Sequence, residues 1–284
     1  MKIITHPDCT SYETPGHPER PQRISKAAER LKRQNDLSIT WEQPGNVQTA
    51  QVLRAHTEAH LIRLRHAEQF DPDTPAYENI DRHALRSAAG ALTGLDSVLA
   101  GETAFVLLRP PGHHATRDQA MGFCYLNQVA IAVLEAQERG IQKVAVLDFD
   151  VHHGNGTEAI LLKQPDVVFH SVHQHPCYPG TGIKSEDNCF NYPIPPRTPR
   201  EKHVAVIQMA LDQIRDWQPE LLVVSAGFDA YRGDPISDEL LEVDDFHSIG
   251  HRIASLNCPH LHVLEGGYSD QLPELIHAYL MGLA

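Results

Sequence analysis

The segment Asp148-Phe149-Asp150-Val151-His152-His153-Gly154-Asn155-Gly156 places Asp148, Asp150 and His152 at alternate positions. On extended backbone, residues i, i+2 and i+4 point to one side. Two of the three can reach a metal ion while the third stands behind them as a hydrogen-bond partner. Asp150 and His152, with Asp229 from Ser225-Ala226-Gly227-Phe228-Asp229, offer oxygen, nitrogen and oxygen donors. Three protein ligands leave a position open for water, the pattern of a catalytic zinc site. Taken alone, the acidic run has a second reading, as an Asp-rich loop that caps a helix beginning near Thr157. Asp229 and a histidine pair from another segment favour the metal.

That pair, His113-His114, follows Arg109-Pro110-Pro111-Gly112. Pro and Gly set a tight irregular turn able to hold both rings toward one place. A neutral imidazole near pH 7 is a suitable general base. Glu265-Gly266-Gly267-Tyr268 lets backbone approach closely and then supplies a phenol donor. Singly, a His-His pair reads as an exposed loop and Gly-Gly-Tyr as an ordinary turn. Their shared position, just after apolar runs, gives them weight.

Those runs are residues 105–108, 144–147, 167–169, 221–224 and 261–264, rich in β-branched residues. They lack polar alternation, so they read as parallel strands buried on both faces. Leu85, Ala88, Ala89, Leu92, Leu95 and Leu99 repeat at helical spacing and stop at Gly101. Leu126, Val129, Ala130, Val133 and Leu134 do the same and stop at Gly140. Strands alternating with helices predict one α/β domain over residues 1–284, a mostly parallel central sheet with helices on both faces. The active site is then expected at the carboxyl ends of the strands. His173 and His175 should lie near its mouth. The other histidines show no ligand spacing.

The chain has 284 residues, net charge −13 and 41% hydrophobic residues, which excludes a disordered chain. No apolar run approaches the roughly 18 residues of a membrane span, and the N-terminus has no signal-peptide pattern. Five cysteines, an odd number without a C-x-x-C pair, read as reduced thiols. A cytoplasmic protein is expected, with no membrane and no nucleic-acid partner, since the latter wants a basic face. The negative charge suits a cationic substrate.

The residues above closely resemble the zinc-dependent histone deacetylase superfamily, of arginase/deacetylase fold. The resemblance extends to His17-Pro18-Glu19-Arg20-Pro21-Gln22-Arg23-Ile24, Gly122-Phe123-Cys124 and Tyr178-Pro179-Gly180-Thr181-Gly182. Asn155 in His-His-Gly-Asn-Gly resembles the class II-like and bacterial branch, because class I enzymes have Asp there. The resemblance implies one catalytic zinc on Asp150, His152 and Asp229. It implies tandem catalytic histidines at His113 and His114, hydrogen-bonded to Asp148 and Asn155, and a catalytic tyrosine at Tyr268. Gly122, Phe123 and Tyr178 match the walls of an acyl-lysine tunnel, Gly266 lies near its floor, and Arg23 matches the arginine of an internal acetate cavity. The backbone of Asp148, Asp150 and His152, with Ser171 and Val172, matches a structural potassium site.

The implied reaction is hydrolysis of an acetyl or related acyl group from lysine side-chain amines in proteins or peptides. A dimanganese ureohydrolase of the same fold needs further carboxylates, but Gly154 and Tyr231 stand where they would be. An acetylpolyamine deacetylase is the main alternative. Polyamine-selective relatives often carry Glu at the tunnel mouth, and the aligned residue here is Ile236. A non-catalytic acyl-lysine-binding zinc protein would have no use for the histidine pair and Tyr268.

Overall fold

A computed structural model describes residues 1–66 and 70–284. Among these residues eight strands form one sheet: β1 (Lys2–Ile4), β2 (Thr40–Glu42), β3 (Ala104–Val106), β4 (Val144–Asp148), β5 (Val167–Gln174), β6 (Cys189–Ile194), β7 (Leu221–Ala226) and β8 (His260–Leu264). Their order is β2-β1-β3-β8-β7-β4-β5-β6, and every pairing is parallel. The sheet is thus wholly parallel, a step beyond the mostly parallel sheet expected. Every residue of β4 and β7 is buried, as uninterrupted apolar runs require when helices cover both faces.

The helices are α1 (Gln22–Arg33), α2 (Thr49–Ala55), α3 (Glu58–Arg65), α4 (Ile80–Leu99), α5 (Gln128–Glu138), α6 (Asn155–Leu161), α7 (Arg200–Trp217), α8 (Val243–Ala254) and α9 (Leu272–Leu283). They pack as two groups, α1 with α9, α8 and α7, and α4 with α3, α5, α2 and α6. Asn127 caps α5 by accepting from the amide of Ala130. The acidic run does lead into a helix, α6, which begins at Asn155, two residues before Thr157, and no side chain of the run caps it. Among the described residues no helix is long and apolar enough to cross a membrane.

Three strands have no signature in the sequence analysis. β1 and β2 hold three residues each, too few to show a period. β6 contains Pro193, which has no N–H for a ladder and is tolerated because β6 is an edge strand. The run at 105–108 leaves the ladder early: the Leu107 amide still donates to Ile4 O (2.8 Å), and Pro110 and Pro111 then end the pairing.

Connectivity fixes where a ligand can enter. The chain passes from β4 outward to β5 and β6, then returns to β7 and continues the other way to β8. Neighbouring β4 and β7 therefore send their following loops to opposite sides. A crevice opens at such a switch point, beyond the carboxyl ends of the strands.

Candidate active site

Asp150 and His152 lie just beyond β4, and Asp229 just beyond β7, so the switch point brings them together. Their donor atoms all lie within 4.8 Å of one another, and all three residues are buried. His152 Nδ1 is 3.2 Å from Asp150 Oδ1 and 3.1 Å from Asp229 Oδ2. Backbone fixes the carboxylates: Gly266 N donates to Asp150 Oδ2 (2.7 Å) and Val151 N to Asp229 Oδ1 (2.9 Å). Position 266 must be glycine for this. A Cβ there would stand 2.1 Å from Asp229 Oδ2 and 2.5 Å from Asp150 Oδ2. Two carboxylates out of water need a cation beside them. An O, N, O set converging in one buried spot fits a divalent metal ion.

The paired histidines face this centre from the turn after β3. Their rings lie 4.0 Å apart. His113 Nδ1 is 3.0 Å from Asp148 Oδ2, whereas His114 Nδ1 is 2.7 Å from Asn155 Oδ1. An amide oxygen only accepts, so His114 Nδ1 carries the proton and Nε2 keeps its lone pair. Burial draws His114 well below the ordinary imidazole value, helped by positive charge on His113 and His152. Burial opposes charge on His113 too, but Asp150 and Asp148 outweigh it and push that ring up to about 10. A divalent ion on Asp150 would weaken that push. The two rings thus divide into one held neutral and one held close to carboxylates.

Tyr268 closes the other side. Its ring has the Arg23 guanidinium 4.7 Å from the centroid and meets Phe123 edge-on at 5.7 Å. Arg23 donates from Nε to Gly267 O (2.7 Å), from Nη1 to Glu19 Oε1 (3.1 Å), and from Nη2 to Glu265 O. His114, His152 and Tyr268 line a cavity of 410 Å³ whose walls include Gly122, Phe123, Tyr178 and Ile236. Tyr178 stands edge-on to His114 with centroids 5.0 Å apart. Gly122 adopts φ +56°, and a Cβ there would meet His114 Cδ2 at 2.5 Å and Tyr178 Cε1 at 2.9 Å.

The structure therefore gathers Asp150, His152, Asp229, His113, His114, Tyr268, Asp148 and Asn155 at one place. Ser171 is the β5 residue paired with Asp148, and Val172 follows it. His173 and His175, expected near the mouth, are not among the residues that line this cavity; His173 is buried in β5. It pins the loop bearing Tyr178, with Nε2 3.0 Å from Gly182 O.

Other residues escaped the sequence analysis as parts of the site. Glu265 Oε2 accepts from the amides of Gly112 (2.7 Å) and His113 (3.1 Å), so it holds the turn that presents the histidines. Its place directly after the 261–264 run was the available signal. His17, Asp73 and Cys177 also line the cavity. Asp73 sits in a turn whose neighbours Asp71 and Thr74 accept from the amides of Gly122 (3.3 Å) and Phe123 (3.1 Å). No local pattern announces such a contact.

A model of the histone deacetylase domain matches residues 17–283. An Archaeoglobus fulgidus protein named "Probable deacetylase" is 33% identical over 290 residues, covering 94% of this chain and 81% of that one. The "Histone deacetylase-like amidohydrolase" of Pseudomonas aeruginosa is 37% identical over 242 residues, covering 77% of this chain and 63% of that one. The crystal structure of acetylpolyamine aminohydrolase from Burkholderia pseudomallei superposes with a TM-score of 0.91 at 28% identity, covering 99% of this chain and 98% of that one.

Proposed function

The chain belongs to the histone deacetylase domain family, and on that premise we propose that it removes acetyl, or a related acyl group, from lysine side-chain amines of proteins or peptides. All 284 residues act as one catalytic domain in this reading. The observation that carries it is His114: a buried ring whose Nδ1 is held by Asn155 Oδ1, lining one cavity with His152 and Tyr268.

Asp150, His152 and Asp229 would hold one zinc ion, a choice supported by their O, N, O donors. Such an ion supplies Lewis acidity toward a carbonyl and brings the pKa of water toward about 7. The chain's own residues do the rest. His114 Nε2 takes the proton from the attacking water, and the water oxygen bonds to the acyl carbon. The Tyr268 hydroxyl donates to the oxygen that gains charge, a contact typically worth about 2.7–4 kcal/mol. The C–N bond then breaks, and the proton held by the histidine pair passes to the leaving amine. Asp148 orients His113, and Asn155 orients His114. Gly122, Phe123 and Tyr178 guide the acyl-lysine stem toward Gly266 at the floor, with Ile236 at the wall. Arg23 lies beneath Tyr268, where it is proposed to serve the released acetate. The backbone of Asp148, Asp150 and His152, with Ser171 and Val172, is proposed to bind structural potassium, supported by the pairing of Asp148 with Ser171. Five free thiols support a reducing, cytoplasmic setting.

Acetylpolyamine hydrolysis is the second reading. Asp73 favours it, as a carboxylate lining the cavity where the distal ammonium of a short polyamine would come to rest. Ile236 opposes it. Assay of one preparation on an acetyl-lysine peptide, N-acetylputrescine and N-acetylspermidine, with its metal content measured, decides between them. The proposal expects the highest kcat/KM on the peptide, with about one zinc per chain. A tenfold preference for the polyamines overturns the substrate assignment. Full activity in a chelated, metal-free preparation overturns the mechanism.

A further inference from the structure

The placement of Tyr268 is a problem the Gly266-Gly267 pair creates. Gly267 has φ +116°, a conformation open to glycine among many others, so the residue gives the chain before Tyr268 little stiffness of its own. The buried ring packs against the Arg23 guanidinium, 4.7 Å from its centroid, and edge-on to Phe123 at 5.7 Å, contacts that leave the backbone bearing it unfixed. Yet an oxyanion donor works only if held to within a few tenths of an ångström of its productive position. Something must fix the backbone on the C-terminal side of Gly267.

The residue that does so comes from the loop after β7. Asp234 Oδ2 accepts from the amide of Tyr268 (2.7 Å) and from that of Ser269 (3.2 Å). Its other oxygen, Oδ1, accepts from the amide of Ile236 (3.2 Å). Its own amide donates to Tyr231 O (2.9 Å), and Ser237 Oγ donates to Asp229 O, so the loop is tied back to the metal-ligand segment. Asp234 is buried. Among the described residues no Lys or Arg forms an ion pair with it, so its two oxygens serve backbone amides instead. A buried carboxylate without a cation is unfavourable unless hydrogen bonds compensate it. Here those bonds join the oxyanion donor to the cavity wall.

We infer that Asp234 is a positioning residue that locks Tyr268 and the Ile236 wall into one unit, so that the loops after β7 and β8 present phenol and wall together. This rests on the functional reading above, because it assigns Tyr268 a part in turnover. Asp234 touches no reacting atom in this account. Its effect on the reaction passes through Tyr268.

The test is a double-mutant cycle between Asp234→Asn and Tyr268→Phe, with zinc content measured on each protein. The asparagine side chain keeps one acceptor and puts an NH2 toward an amide N–H, so at least one of the three contacts is lost. A misplacement of about 1 Å can cost about 10²-fold in rate. Asp234→Asn should therefore lower kcat by about 10- to 100-fold with zinc retained. In the Tyr268→Phe background the same change should lower kcat by less than about threefold, because no donor remains to misplace. An equal loss in both backgrounds, or no loss in the first, overturns the inference. Should the Asn variant fail to fold, Asp234→Glu, which keeps the charge and adds a methylene, enters the same cycle with the same criteria. Hydrogen exchange on the unaltered chain gives an independent reading: the Tyr268 and Ser269 amides should exchange slowly, as bonds to a buried acceptor do. Exchange at the rate of a free loop overturns the inference even if the chain hydrolyses no acylated amine, an outcome that would by itself refute only the functional reading.

Discussion

Replacing Tyr268 by Phe removes one oxygen atom and almost nothing else. The ring stays buried against Arg23 and Phe123, and no hydrogen bond joins its hydroxyl to another described residue. No intramolecular hydrogen bond is therefore lost, and the change in stability should stay below about 1 kcal/mol. For a chain of this size that is a Tm shift of under about 3 °C. Zinc content should not move either, because Asp150, His152 and Asp229 do not touch the hydroxyl. The rate is another matter. Losing one oxyanion donor typically removes about 2.7–4 kcal/mol of transition-state stabilisation, about 10²–10³ in kcat. The assay is steady-state hydrolysis of an acetyl-lysine peptide beside thermal unfolding and metal analysis on the same samples. The expected result is a fall of at least about 100-fold in kcat with unchanged Tm and zinc. A variant within a few-fold of the parent would show that some other group holds the oxyanion. A fall accompanied by loss of zinc would show that the phenol is part of the metal centre.

Asp229→Ala leaves only Asp150 and His152 at the metal and orphans the Val151 amide, so most bound zinc and essentially all hydrolysis should disappear; retention of one zinc per chain refutes the ligand set. Gly122→Ala must hold φ +56° with its Cβ 2.5 Å from His114 Cδ2. A left-handed conformation costs an L-residue about 1–2 kcal/mol, and the displaced ring should lower kcat by at least about 10-fold in a chain that still folds; unchanged turnover would mean that His114 need not sit where it does. Ile236→Glu adds a carboxylate to the wall that already holds Asp73. An exposed pair is worth about 0–1 kcal/mol, so turnover of N-acetylputrescine relative to the peptide should rise by up to about fivefold, less at high salt; a ratio that does not move would place residue 236 away from the path of the distal ammonium.

The outline of the proposed site was legible because of how parallel sheets are made. A strand buried on both faces shows as an apolar run, and the residues directly after it stand at the carboxyl edge. Asp150, His152, His113 and Tyr268 are readable for that reason alone, each only a few positions beyond such a run. Gly122 and Phe123 are not, since neither follows a strand. Both adopt positive φ and are held by Asp71 and Thr74, about fifty positions away in the chain. Asp234 has the same character: an acidic residue in a polar loop, two of whose partner amides, those of Tyr268 and Ser269, lie more than thirty positions further on.

The segment His17-Pro18-Glu19-Arg20-Pro21-Gln22-Arg23 shows why supports of this kind stay hidden. Only the family resemblance singled it out; its residue types alone do not separate it from a solvated charged stretch. In the fold, Glu19 and Arg23 are buried, and Glu19 accepts from Arg109 Nε and Nη2 at 2.6 Å each. Arg109 also donates to Cys9 O (2.9 Å) and Tyr12 O (3.0 Å), while Arg23 holds Gly267 O and Glu265 O. One carboxylate thus joins the start of the chain, the turn before the histidine pair and the strand end that carries Tyr268. Charges can be buried only when paired and hydrogen-bonded. A lone sequence displays each charge but not its partner, so it cannot tell a buried triad from three exposed side chains. The residues proposed as acids, bases and ligands are legible because a strand end delivers them to one edge, and the groups that hold them still become visible only when distant segments meet.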